Sequence, residues 1–146
     1  ILKMNNNRDF TFQFLSSKSA KEIFPMLLDV KSWWKGFYGE NIQGESNEVG
    51  DEFTFFAGDG VHISKQKLIE KRPNKKLAWQ VIESNLSFLN DKKEWDDTII
   101  SFSLEDVEKG TKVKFTHQGL MPEIECYEDC SLAWTNYLKN LEINLK

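Results

Sequence analysis

The stretch YEDCSLAWTNYLKNLEINL, residues 127–145, decides the fold of this chain. Six of its residues recur at alternating steps of four and three: Tyr127, Ser131, Trp134, Leu138, Leu141 and Leu145. This spacing predicts a long helix with one continuous face for burial. Pro122 is predicted to begin the helix, at a position where the missing N–H costs no hydrogen bond. Such a face must pack against another layer, and the rest of the chain offers a sheet.

Residues 10–117 supply this sheet as a series of alternating segments. Phe10, Phe12 and Phe14 alternate with polar residues, which predicts a half-buried strand. Further strands are predicted at residues 52–57, 61–70, 77–81, 95–104 and 112–117. Gly58-Asp59-Gly60 predicts a tight hairpin, and Glu108-Lys109-Gly110 predicts a turn.

Two short helices are predicted between the first strand and the others. Ser19 and Glu22 have the spacing of a capping box, which predicts the start of the first helix. Pro25 lies inside it and predicts a kink or an early end. A second short helix is predicted at residues 31–37. The order of elements therefore predicts an α+β fold, with an antiparallel sheet of six to seven strands against one long helix.

Length and composition indicate one globular domain over residues 1–146, with residues 1–8 expected to be disordered or an N-terminal extension. The net charge of −4 disfavours nucleic-acid binding. No apolar run approaches the roughly 20 residues of a membrane span. The N-terminus lacks the apolar core of a signal peptide. We therefore expect a cytoplasmic protein in which Cys126 and Cys130 are free thiols.

Several motifs in this sequence occur in the order typical of one family. They are Ser19–Trp34, Val49–Phe53, Arg72–Trp79, Glu94–Thr98 with Ile100 and Phe102, Gly110–His117, and Trp134 with Leu138 and Leu141. Together they resemble the START-like SRPBCC superfamily, and within it the branch related to the activator of the ninety-kilodalton heat-shock protein ATPase. The resemblance implies a helix-grip fold, in which the curved sheet wraps around the C-terminal helix and leaves a cavity between them.

The chain is rich in aromatic residues, with eleven Phe, five Trp and three Tyr. Such side chains form bulky cores and also line small-molecule pockets. Because the resemblance implies a cavity, we expect nine residues to line it: Trp34, Phe37, Phe53, Phe55, Trp79, Trp95, His117, Trp134 and Tyr137.

Residues with chemical potential are few. His117 alternates with Val113 and Phe115 and is expected to point inward, as a cavity-wall histidine or as a general acid or base. His62, near a hairpin, is expected to be exposed. The two cysteines and two histidines form no pattern typical of a zinc site. We therefore assign no catalytic residue, no metal and no cofactor.

Three functions remain open at this point. The first is binding of a small apolar or aromatic molecule in the cavity, by a monomer or a homodimer. The second is interaction with a chaperone or another protein, for which the basic run Lys65, Lys67, Lys71, Arg72, Lys75 and Lys76 could serve an acidic partner. The third is a lyase or cyclase activity that uses His117.

Overall fold

The computed structural model describes residues 8–146, so most of the predicted N-terminal extension lies outside the described residues. The chain forms strand β1 (Phe10–Ser16), helices α1 (Ala20–Leu28) and α2 (Val30–Trp33), and strands β2 (Asn41–Gly44), β3 (Glu52–Ala57), β4 (His62–Arg72), β5 (Lys76–Leu86), β6 (Ile99–Val107) and β7 (Gly110–Gln118). Helix α3 (Tyr127–Asn144) follows. The α+β class and the order of elements predicted from the sequence are confirmed.

All seven strands form one antiparallel sheet in the order β1-β7-β6-β5-β4-β3-β2. The chain therefore runs as a meander from β2 to β7, and β1 adds to the outer edge of β7. The register between β4 and β5 shifts at Lys65/Gln66 and again at Leu68/Glu70. Such irregularities increase the local bend and twist of a strand, which suits a sheet that curves around a helix.

Helix α3 packs its predicted face on the sheet. Trp134, Leu138 and Leu141 are buried, and the ring of Trp134 lies 4.6 Å from that of Phe115 on β7. The face therefore contacts the sheet as its spacing predicted. None of the helices formed within residues 8–146 is long and apolar enough to cross a membrane.

Helices α1 and α2 close one end of the interior. The capping box is confirmed: the Glu22 amide donates to Ser19 Oγ and the Ser19 amide donates to Glu22 Oε1. Helix α1 ends three residues after Pro25, and α2 starts directly beyond Asp29. The ring of Trp33 then packs edge-on against Phe102 of β6, at 5.2 Å. The two short helices are thus anchored to the sheet by aromatic contacts.

Several predicted boundaries were wrong. Helix α2 spans Val30–Trp33 and not residues 31–37, strand β5 continues to Leu86 beyond residue 81, and strand β2 was not predicted. Strand β6 begins at Ile99, not at Trp95, because residues 92–97 form turns in which Asp97 has a φ of 69°. Helix α3 begins at Tyr127, not at Pro122. The carboxylate of Glu94 accepts hydrogen bonds from the amides of Glu125 and Cys126, both at 2.8 Å, and so binds the free N–H groups just before the helix.

Candidate functional site

A pocket of about 260 Å³ opens between α3, the α2–β2 loop and the β3–β4 hairpin. Five of the nine residues expected to line a cavity form its wall: Trp34, Phe55, Trp95, Trp134 and Tyr137. They come from α2's C-terminal end, β3, the β5–β6 connection and α3. Residues far apart in the sequence therefore meet around one space.

Two pairs of aromatic rings in this wall have parallel planes. Trp34 stacks on Phe55 with ring centres 4.0 Å apart and an angle of 16° between the planes. Trp95 and Trp134 lie 6.0 Å apart at 7°. Trp34 and Trp134 join the two pairs, with 4.9 Å between their centres. All four side chains are buried, so the aromatic wall is held in place by core packing.

The mouth of the pocket is apolar and exposed. It is formed by Tyr38, Val61, Phe88 and Leu132, of which Leu132 is 59% exposed. These residues could not be recognised as a group from the sequence, because three of them lie in turns and loops without a repeating pattern. Leu132 lies on α3 but off the buried face of that helix.

The α2–β2 loop is tied to α3 by Glu40, which sequence reasoning also missed. Its carboxylate accepts hydrogen bonds from Tyr137 Oη at 2.6 Å and from the amides of Gly36 and Tyr38 at 2.8 and 2.9 Å. Burial alone would raise the pKa of Glu40, but these hydrogen bonds outweigh it and lower the pKa. Burial and the Glu40 carboxylate raise the pKa of the Tyr137 hydroxyl. The ionised Glu40 thus holds Tyr38 at the mouth.

The other four predicted residues do not line this pocket. Phe37 is largely exposed and packs its ring edge-on against Tyr137. The ring of Phe53 packs edge-on against that of Trp34, with 6.1 Å between the ring centres. Trp79 is buried in the core, where its Nε1–H donates to Ser46 Oγ at 2.8 Å. Alternation along a strand identifies the inward face but cannot say which part of that face adjoins a space.

His117 is fully buried behind the aromatic wall, and both ring nitrogens are engaged. Nδ1 accepts from Trp134 Nε1–H at 3.0 Å. Nε2 lies 2.9 Å from Thr98 Oγ1, which gives its own hydrogen to the Trp95 carbonyl. Nε2 must therefore be the donor, so the ring is the neutral Nε2–H tautomer. Burial lowers the pKa of His117 to about 3. This geometry leaves no nitrogen for a substrate and gives no support to a general base.

Acid should destabilise the fold through His117. The ring has a pKa of 6.5 when unperturbed and about 3 when folded, so the unfolded chain binds more protons between these values. The contribution of His117 to stability is complete above pH 6.5 and is lost as the pH falls below it. From pH 7 to pH 5.5 we expect a loss of about 1 kcal/mol from this residue.

Urea unfolding of the wild type and of His117→Gln at the two pH values checks this expectation. Glutamine can still donate towards Thr98 and accept from Trp134, but it does not titrate. The acid-induced loss should therefore be about 1 kcal/mol smaller in the variant. An equal loss in both proteins would show that His117 does not cause it.

His62 lies in the pocket, which corrects the expectation that it is exposed. Its ring packs edge-on against Trp95 at 4.7 Å and against Phe55 at 5.0 Å. Nε2 is 3.2 Å from Ser64 Oγ. Burial lowers the pKa of His62, so the ring is neutral at pH 7. The sequence did contain a signal, because His62 alternates with Ser64, Gln66 and Leu68, which share the inner face of β4.

The two cysteines are joined as a disulfide, which makes the expectation of free thiols wrong for this structure. Cys126 and Cys130 are four residues apart at the start of α3, with their Cα atoms 5.5 Å apart. This separation is in the usual range for a disulfide. Within residues 8–146 no three His, Cys, Asp or Glu residues are placed to hold a metal ion.

The basic run is largely paired with acidic residues of the same surface. Lys65 lies 3.4 Å from Glu52, and Lys71 lies 3.3 Å from Glu48. Arg72 and Lys76 both lie within 3.6 Å of Glu70. The local positive charge is thereby reduced, and this surface gives little support to an electrostatic site for an acidic partner.

Comparison with known proteins decides the family. A profile of the Activator of Hsp90 ATPase homolog 1-like protein family matches residues 19–146. The chain belongs to this family. The resemblance predicted from the sequence motifs is thus confirmed. Among curated proteins, none matches the chain.

Solved structures of similar fold cover almost the entire chain. The Aha1 dimer from Colwellia psychrerythraea has a TM-score of 0.72 and 26% identity, over 94% of this chain and 95% of that one. An HSP90 activator from Plasmodium falciparum has a TM-score of 0.62 and 19% identity, over 95% and 96%. A protein from Chromobacterium violaceum has a TM-score of 0.69 and 19% identity, over 96% and 98%. Family and fold support a module that binds a protein partner or a small ligand.

Proposed function

We propose that this member of the family binds a small apolar or aromatic molecule in the pocket beside α3. The observation that carries the proposal is the pair of parallel ring stacks, Trp34 on Phe55 and Trp95 beside Trp134, in the wall of an open space. A flat ring that enters this space buries apolar surface on several sides. Burial of apolar area is the main source of affinity for such a ligand.

The size of the pocket favours a compact ligand. Its volume of about 260 Å³ lies just below the roughly 300–1,000 Å³ typical of ligand sites. One ring or two fused rings suit that space better than a sterol or a long acyl chain. Because the wall side chains are buried in the core, little ordering is needed on binding, which favours affinity.

Isothermal titration calorimetry with indole, naphthalene and a long-chain alcohol tests the proposal. We expect the two ring compounds to bind and the alcohol to bind more weakly or not at all. The bound ring should also raise the melting temperature, as a ligand specific to the folded state does. Absence of heat and of a thermal shift with every ring compound at millimolar concentration would refute the proposal.

A variant that fills the pocket locates the bound ring. Ala133 is half-buried on α3 and lines the pocket, so Ala133→Phe places a ring in the space that the ligand would occupy. We expect at least a tenfold loss of affinity for indole. Asn140→Phe adds the same side chain at an exposed position of the same helix and should bind indole as the wild type does. Unchanged binding by Ala133→Phe would place the ligand elsewhere.

Binding of a protein partner is the second candidate. It is supported by the family and by the four exposed apolar residues at the mouth, Tyr38, Val61, Phe88 and Leu132. Exposed apolar residues gathered in one place are typical of interaction sites. The ATPase rate of an Hsp90 from the same host, measured with and without this protein, tests it. No change in rate and no complex on a sizing column would count against this candidate.

The proposal extends to the compartment and the oligomeric state of the protein. We place the protein in the cytoplasm, as a monomer or a homodimer. The homodimer has support from the Aha1 of Colwellia psychrerythraea, which was solved as a dimer. Light scattering across a range of protein concentrations distinguishes the two states.

A further inference from the structure

Charge is distributed unevenly around the pocket. Asp129, in the first turn of α3, lines it and carries a negative charge. Of the described residues that line the pocket, none is a lysine or an arginine. The one histidine among them, His62, is held neutral by its packing between Phe55 and Trp95. The pocket therefore presents negative charge and aromatic rings.

The carboxylate of Asp129 is available to a ligand. Its side chain is exposed at the pocket, and within residues 8–146 it has neither a hydrogen bond nor an ion pair. Other carboxylates nearby are already engaged. Glu94 accepts from two amides before α3, and Glu125 accepts from the amides of Asn90 and Asp91. Asp129 differs from these in having no side-chain partner among the described residues.

Most of the amides around the start of α3 are already engaged and cannot bind an anion. A helix N-terminus attracts negative groups because its first N–H groups lack partners. Here the amides of Glu125 and Cys126 are bonded to the Glu94 carboxylate, and the Tyr127 amide donates to the Ile124 carbonyl. Within residues 8–146, the amides of Glu128 and Asp129 are left without such a partner. A ligand carboxylate at this end of the pocket would lie beside the Asp129 carboxylate, and no lysine or arginine among the described lining residues would offset the repulsion.

We propose that the ligand is a cation, namely an amine carried on an aromatic or apolar body of one or two rings. This inference rests on the proposed binding function. The ring body lies against the stacked pairs of the wall, and the ammonium group lies at the mouth beside Asp129. Tyr38 and Phe88 are exposed aromatic residues at the mouth, where their rings can add cation–π attraction to the ammonium group. The negative carboxylate and the electron-rich rings favour the same sign of charge.

Three compounds with one indole body and different side-chain charge test the proposal. Tryptamine is a cation, tryptophol is neutral, and indole-3-propionate is an anion at pH 7. In calorimetric titrations we expect tryptamine to bind about tenfold more tightly than tryptophol, and the anion to bind more weakly than both. High salt should reduce the preference, because the ion pair at Asp129 is exposed.

Asp129→Asn keeps the shape of the side chain and removes its charge. We expect the ratio of tryptamine to tryptophol affinity to fall about fivefold in this variant. Glu128→Gln removes the same charge from the preceding exposed position, which does not line the pocket, and should leave the ratio as in the wild type. If the ratio falls equally in both variants, the preference for a cation arises from the overall negative charge of the helix start. That result would overturn the role of Asp129.

The outcomes separate this inference from the proposed function. If tryptophol binds and tryptamine binds no more tightly, the pocket binds rings but does not select a cation, and the inference is wrong. If indole-3-propionate binds most tightly, the charge preference is the reverse of that proposed. If none of the three compounds binds, the binding function itself fails.

Discussion

Replacing Trp134 with alanine should lower the free energy of unfolding by about 3–5 kcal/mol. Trp134 is only 2% exposed and lies at the centre of the interior, with the rings of Trp34 and Phe115 within 5 Å of its own. The truncation leaves a cavity that the packed rings around it cannot close. It also leaves Nδ1 of His117 without its donor, and a buried unsatisfied acceptor adds to the loss.

Chemical denaturation of three variants checks this expectation and separates its parts. Trp134→Phe loses the N–H donor but keeps a ring that fills most of the space. Its free energy of unfolding should therefore fall by less than that of Trp134→Ala. Ile143→Ala removes an apolar side chain from an exposed position of the same helix and should cost less than about 0.5 kcal/mol. A loss below about 1 kcal/mol for Trp134→Ala would mean that α3 does not pack on the sheet through this face.

Gly110→Ala adds only a single methyl group, yet it should lower the free energy of unfolding by about 3 kcal/mol or more. Gly110 starts β7 with a φ of 147°, a conformation that side chains disfavour. An added Cβ would overlap the backbone carbonyl of Ser16 on β1, and backbone atoms cannot move aside as a flexible side chain can. Overpacking of about 1–3 kcal/mol therefore adds to backbone strain of similar size.

Gly36→Ala is the matched control, because it separates strain from overlap. Gly36 also has a positive φ, of 104°, but an added Cβ there would meet no atom within 4 Å. Gly36→Ala should therefore lower the free energy of unfolding by about 1 kcal/mol, from backbone strain alone. Melting curves of both variants measure the difference. Equal costs would mean that β1 does not approach Gly110 as closely as the structure has it.

Local patterns were enough to predict most of the fold. The spacing of Trp134, Leu138 and Leu141 predicted a helix buried on one face, because side chains three and four positions apart share a face. Alternation at Phe10–Phe14 predicted a strand, and Ser19 with Glu22 predicted the start of α1. These features depend on residues close in the sequence, so no knowledge of the rest of the chain was needed.

The boundaries at Trp95 and Tyr127 could not be predicted in this way. The start of α3 depends on Glu94, whose carboxylate binds amides 31 and 32 positions further along the chain. The start of β6 depends on the turns of residues 92–97, where the Asp97 amide donates to the distant Val81 carbonyl at 2.7 Å. Trp95, with an apolar side chain beside an alternating segment, has the local pattern of a strand residue. A contact between distant residues overrides that pattern.

The sequence by itself determined the α+β class, the order of elements, the buried face of α3 and the family. Only the tertiary structure decided which aromatic residues adjoin a pocket and which are core. Trp79 and Trp95 have the same side chain, yet one is enclosed by the sheet and the other faces the pocket. It also decided that His117 is bonded at both nitrogens and that, within residues 8–146, the Asp129 carboxylate has no hydrogen bond or ion pair. The reason is physical, because a cavity and a hydrogen-bond network are set by several distant segments at once, and no single segment encodes them.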